Sequence, residues 1–131
     1  MIERDLNDPR PVKDEEGQHP VPGAWRGTLR EIVRAFVAGD FGLTKGVARV
    51  EAVEPEKADD IRASVAAYGA TLVDLPEGTW NTSVAQWYGT HWQVLVDLWT
   101  AEEGRSDLVL DCHVQELDND FCITLHFVYV P

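Results

Sequence analysis

Beyond Arg62 the sequence holds a single basic residue, Arg105. A chain so poor in cations on that side repels phosphate backbones, which argues against nucleic acid as a partner. Cysteine is scarce, with 2 in the chain, and no Cys-x-x-Cys or helical His-x-x-x-His spacing accompanies them. Zinc-finger and disulfide-scaffold readings fall away on that count. Long apolar runs are missing: none approaches the ~20 residues of a membrane span. No apolar stretch follows Met1, so neither a secretory leader nor a membrane anchor is expected, and a cytoplasmic location is the default. The phosphate-loop, dinucleotide-fingerprint, nucleophile-elbow and zinc-protease motifs are all absent. With them goes the usual support for an enzyme, and no cofactor is expected.

What is present is acid and aromatic. The net charge is −12 in 131 residues. Residues 79–131 carry 8 acids against 1 base, whereas residues 21–50 carry 5 bases against 2 acids. Four of the 5 tryptophans, Trp80, Trp87, Trp92 and Trp99, fall in one stretch. Within it, Trp92 to Thr100 alternates as a strand, with Val94, Val96 and Leu98 on the side of Trp92 and Leu95 on the side of Trp99. Apolar residues on both sides imply a central strand covered twice.

Residues 1–22, with Pro9, Pro11, Pro20 and Pro22, read as an extended or disordered tail. Residues 23–131 read as one domain. Leu29, Ile32, Val33, Phe36 and Val37 share one helical face, with Thr28 and Glu31 as a capping box and Gly39 as the stop. Pro55 opens a second helix and Gly69 ends it. Residues 47–53 are a strand candidate, as are 70–75 and 83–88. Arg26, Arg30 and Arg34 form a basic stripe, expected to pair with acids elsewhere in the chain. The fold class is α+β: two helices packed on a mostly antiparallel sheet whose last three strands form a meander.

The last hairpin carries the most specific constellation the sequence offers. A turn centred on Asn119-Asp120 pairs Asp118 with Phe121, Cys112 with Phe127 and His113 with His126. That places Phe127 with the core and the two histidines on the polar side. Asp111 is their neighbour on that side, and His91 stands at the start of the central strand. Two imidazoles and a carboxylate can bind a metal or small ligand, or serve as acid and base. Solvated histidines, or histidines under a partner protein, are the plainer reading. Cys112 and Cys122 point to opposite faces, so no disulfide is expected.

The leading functional reading is therefore a non-enzymatic acidic protein that binds a basic protein partner. Glu102, Glu103, Asp107, Asp111, Glu116, Asp118 and Asp120 would form the contact, with Trp87 and Tyr88 as exposed aromatics. The alternative is a small-molecule-binding, metal-binding or hydrolytic domain using His91, Asp111, His113 and His126. A third reading is a structural module, a homodimer through an apolar sheet face that includes Leu95, Trp99, Val109, Val128 and Val130.

The run Trp-Gln-Val-Leu-Val-Asp-Leu-Trp-Thr-Ala-Glu-Glu-Gly-Arg-Ser-Asp-Leu-Val-Leu, beginning at Trp92, with Tyr129-Val130-Pro131 at the end, resembles a bacterial family of small acidic proteins of unknown function. That resemblance implies an α+β fold and assigns no catalytic residue. In general character it is similar to toxin-immunity proteins, which bind and do not catalyse.

Overall fold

The computed structural model describes residues 8–131. The strand from Trp92 to Thr100, here β4, alternates as its sequence does: Trp92, Val94, Val96 and Leu98 are buried, and Gln93, Leu95, Asp97 and Trp99 are half-buried. One face of β4 is thus fully covered and the other only in part, where the sequence implied two covered faces. The elements among the described residues are β1 (His19–Pro20), α1 (Gly23–Val37), α2 (Pro55–Tyr68), β2 (Leu72–Val73), a 3-10 turn (Glu77–Asn81), β3 (Val84–Trp87), β4, β5 (Gly104–Leu117) and β6 (Asp120–Tyr129). The six strands form one antiparallel sheet in the order β1-β3-β4-β5-β6, with β2 paired to the end of β4. Two helices on such a sheet, with β4-β5-β6 as a meander, are the expected α+β class.

Helix α1 lays Trp25, Leu29, Ile32, Val33 and Phe36 against the inner sheet face. It begins six residues earlier than the capping box suggested. Pro22 precedes it without a side-chain cap, and Thr28 lies buried within it. The free N–H of Gly23 is taken instead by the carbonyl of Pro9, at 3.0 Å. A tertiary bond thus does the work of a local cap. Gly39 and Gly69, at φ 84° and 80°, stop the two helices in the left-handed conformation that glycine adopts without strain.

The basic stripe is consumed internally. Arg26 donates to the Val21 carbonyl at 3.0 Å, Arg30 pairs with Glu77, and Arg34 lies 3.8 Å from Asp74. Residues 47–53 do not form a strand. Left-handed Gly46 and Arg49, at φ 76° and 69°, interrupt the run, leaving one bridge from Val50 to Ile123. The segment still has a purpose, because it covers the free edge of β6. Ile123 donates to Arg49 O and Glu51 donates to Ile123 O, both at 2.8 Å, and Lys57 Nζ takes the Leu125 carbonyl.

Two irregularities bend the sheet. Between Asp97 and Trp99 the register with β5 slips, and the Ser106 hydroxyl fills the gap by donating to Leu98 O at 2.7 Å and accepting from Leu108 N–H at 3.1 Å. The second lies in the last hairpin. Its turn is Asp118-Asn119, with Leu117 opposite Asp120 and His113 opposite Thr124, one turn position earlier than expected. Asp118 accepts the left-handed φ of 47° that the turn requires, as Asp does more readily than most residues. The shift moves each pair by two residues and preserves every face.

A bulge at His126 then inverts the rest of the strand. Cys112 pairs with Leu125 and Asp111 with Phe127, leaving His126 unpaired. Phe127 is therefore exposed (58%), and Val128, expected on the open face, is buried (3%).

Candidate functional site

The helices cover only the inner face, so the outer face of β3, β4, β5 and β6 is where the sheet meets its surroundings. Five rings cross it in a row. Tyr88 stands 6.0 Å from His91, His91 is stacked 4.3 Å from His113, and His113 is stacked 3.8 Å from His126. Phe127 closes the row edge-on to His126 at 5.4 Å. The end members are open to solvent, Tyr88 at 51% and Phe127 at 58%.

Local structure explains each position. The β3–β4 turn closes by a Tyr88 N–H to His91 carbonyl bond of 2.8 Å over left-handed Gly89, which lifts Tyr88 and His91 to the rim. Trp87, at the same turn, lies instead against Trp92 at 4.5 Å with Lys13 over its ring. His113 projects from the middle of the sheet, and the bulge leans His126 back over it.

The imidazoles are nearly parallel, at 26° and 29°. Ring-nitrogen lone pairs lie in the ring plane, so stacked rings send them out side by side rather than toward one point. Among the described residues no group of three or more His, Cys, Asp or Glu is arranged to hold a metal ion. His113 is harder to protonate than an ordinary histidine, first because it is partly buried and then because His126 and His91 flank it; Asp111 pulls weakly the other way.

Asp111 lies beneath this row and is 5% exposed. Its Oδ2 accepts from Gln93 Nε2 at 3.0 Å. Its Oδ1 is buried without a partner, and none of the ion pairs among the described residues includes it.

The other acids of interest are not gathered here. Glu102, Glu103 and Asp107 lie at or beside the β4–β5 turn, and Glu116, Asp118 and Asp120 at the β5–β6 turn, at opposite ends of β5. Glu102 accepts from the Thr71 N–H and hydroxyl at 2.9 and 3.1 Å, and Glu103 accepts from Tyr68 Oη at 2.7 Å. Glu116 pairs with Lys13 and Asp120 with Arg49, each at 2.6 Å. Phe127 and Tyr129 belong to the outer face although alternation had assigned them to the core, and no signal in the sequence marks the bulge responsible.

A cavity of about 570 Å³ lies between the end of α1 and the loop that follows it, lined by Arg34, Asp40 and Lys45 among others. His91, Asp111, His113 and His126 line neither it nor the smaller clefts at the sheet edges. Among the described residues no helix is long and apolar enough to cross a membrane.

A family model described as "Domain of unknown function (DUF7668)" matches residues 33–131, a span that takes in the whole row of rings and Asp111. No curated protein and no solved structure matches the chain.

Proposed function

We propose that this chain, which belongs to the DUF7668 family, is a non-enzymatic binding protein that receives a basic protein partner on the outer face of its sheet. The observation that carries this reading is the ring row from Tyr88 to Phe127 on the one face the helices leave open. Aromatic side chains with both ends exposed suit the centre of a protein contact. The net charge of −12 supplies long-range attraction for a basic surface and rejects acidic ones. The acids at the two turns, though partly engaged, add to that field from both ends of β5. In its finer form the reading is an immunity-type role, in which the protein masks a basic toxin.

The test is binding of the product of the neighbouring open reading frame, by calorimetry, at about 0.05 M and about 0.5 M salt. The expected result is tight binding weakened by salt and lost in the double variant Tyr88→Ser/Phe127→Ser. Binding indifferent to both salt and the double variant would defeat the proposal. A second copy of this chain is the competing occupant of the face. Light scattering distinguishes it, since a homodimer dissolved by Tyr88→Ser/Phe127→Ser would replace the basic partner as the reading.

A further inference from the structure

We infer that Asp111 and the rings around it form a receptor for one cationic side chain, a lysine ammonium or an arginine guanidinium, presented by the partner. The inference rests on the outer face being a protein-binding surface and names what that surface recognises. It begins from an imbalance. Asp111 sits in the middle of β5, 5% exposed, with one oxygen held by Gln93 and the other, among the described residues, by nothing. A carboxylate taken out of water is stable only where opposite charge or several hydrogen bonds replace its hydration. This one has a single neutral donor.

The described residues do not supply the missing cation. His113 is the nearest base along the strand, but its burial and its two imidazole neighbours hold it toward the neutral form. Lys57, on the helix packed along β6, is committed to the Leu125 carbonyl. Arg105 lies six residues away along β5, in a cleft with Asp97 and Asp107. Among the described residues the site therefore lacks one positive charge, and a partner's cation would supply it.

The surroundings fit an organic cation. Phe127 stands directly opposite Asp111 in the ladder, and Tyr129 lies opposite Val109 on the same face. Aromatic faces attract ammonium and guanidinium groups, and a guanidinium also stacks on ring planes, which favours arginine. The Tyr129 hydroxyl is harder to ionise than usual, from burial first and then from the Asp111 charge, so the two groups share one environment. Phe127 is 58% exposed, and the inference requires its ring to move aside for a cation to reach Oδ1. The field of a chain with net charge −12 draws cations toward the face.

The experiment is a two-dimensional NMR titration of the full chain with arginine amide and with lysine amide, against sodium chloride at matched ionic strength. Saturable shifts centred on Asp111, His113 and the Gln93 side-chain amide are expected from the amides and not from the salt. In Asp111→Asn those shifts should vanish, while weak changes at the exposed turn acids persist. Asp111→Asn titrating like the wild type, or shifts confined to the turn acids, would overturn the inference. Should Asp111→Asn fail to fold, Phe127→Ala serves instead, since that ring is exposed; affinity for arginine amide should fall several-fold, and an unchanged affinity overturns the inference. Arginine amide bound at Asp111 with no macromolecular partner captured would sink the functional proposal and leave the receptor. A partner held through Tyr88 and Phe127, with arginine amide ignoring Asp111, would do the reverse.

Discussion

His126 stacks on His113 with ring centroids 3.8 Å apart, although the ladder pairs His113 with Thr124. The bulge produces this contact, and the contact produces a pH dependence. His113 binds its proton less readily in the fold than in the unfolded chain, because of burial, then His126 and His91. Below about pH 6.5 the unfolded chain takes up that proton first, so stability falls as pH drops and the loss ends once folded His113 is also protonated. Asp111 opposes the shift and Lys57 adds to it, both weakly. Thermal unfolding from about pH 8 to about pH 5 should show this decline, and His113→Gln should flatten it. Equal slopes for the two proteins would show that the stack carries no such coupling.

The two thiols should differ in reactivity. Burial pushes the Cys112 thiol far up, and it lies in the core. Cys122 is raised by its own partial burial, then by the hydrogen bond it donates to Glu51 at 3.4 Å and by that carboxylate's charge. A disulfide reagent should therefore label one thiol of the native protein, slowly, at Cys122. Glu51→Gln removes the carboxylate charge and offers an amide N–H that can donate to the thiolate, so it leaves more thiolate at a given pH and should speed the labelling. A rate unchanged in Glu51→Gln would contradict the assignment.

Glu102 ties the β4–β5 turn to the start of β2. Its carboxyl is held below the usual range by the Thr71 N–H first, then by its own backbone N–H and the Thr71 hydroxyl, all of which favour the charged form. A lowered carboxylate contributes stability above its unfolded pKa and loses it as pH falls through the folded value. Glu102→Ala should speed hydrogen exchange at the Thr71 amide at neutral pH and leave the Ile123 amide on β6 unaffected. In the wild type, acidification should speed exchange at Thr71 relative to Ile123 once Glu102 protonates. Uniform acceleration at both amides would mean global destabilisation and no local tie.

Much of this was legible in the residues. The alternation of Trp92, Val94, Val96 and Leu98 placed the inner face of β4 correctly, because period-two burial needs no knowledge of neighbours. His113 and His126 were assigned one face despite a misplaced turn, since sliding the turn by one position preserves parity. Features that depend on distant chain were not legible. Thr28 looks like a cap, but the bond from Gly23 to Pro9 starts the helix earlier. Phe127 looks like core, but the bulge at His126 turns it outward. Asp111 reads as a surface acid, yet it stands between Leu95 of β4 and Phe127 of β6 and is 5% exposed.

Trp92 joins the core to the segment 8–22. Its ring meets Trp25 edge-on at 5.2 Å, and its Nε1 donates to the Val12 carbonyl at 3.0 Å. That segment is also held by the bond from Gly23 to Pro9, by Lys13 on Glu116 and over Trp87, and by His19 paired with Ala85. Trp92→Phe keeps an aromatic ring against Trp25 but removes the donor and some volume, so a loss of about 1–3 kcal/mol is expected. Its distinctive effect should be local. Trypsin does not cut before proline, so Arg10, followed by Pro11, resists, and Lys13-Asp14 is the bond to watch. Cleavage there should accelerate in Trp92→Phe well beyond the change in global unfolding. Ile32→Ala, a core cavity remote from the segment, should cost about 2–5 kcal/mol and speed that cleavage only as far as global unfolding predicts. If the two variants, compared at equal stability, are cut equally fast at Lys13, Trp92 does not fasten the segment, and the bonds from Gly23 and Lys13 and the β1–β3 pairing hold it without Trp92.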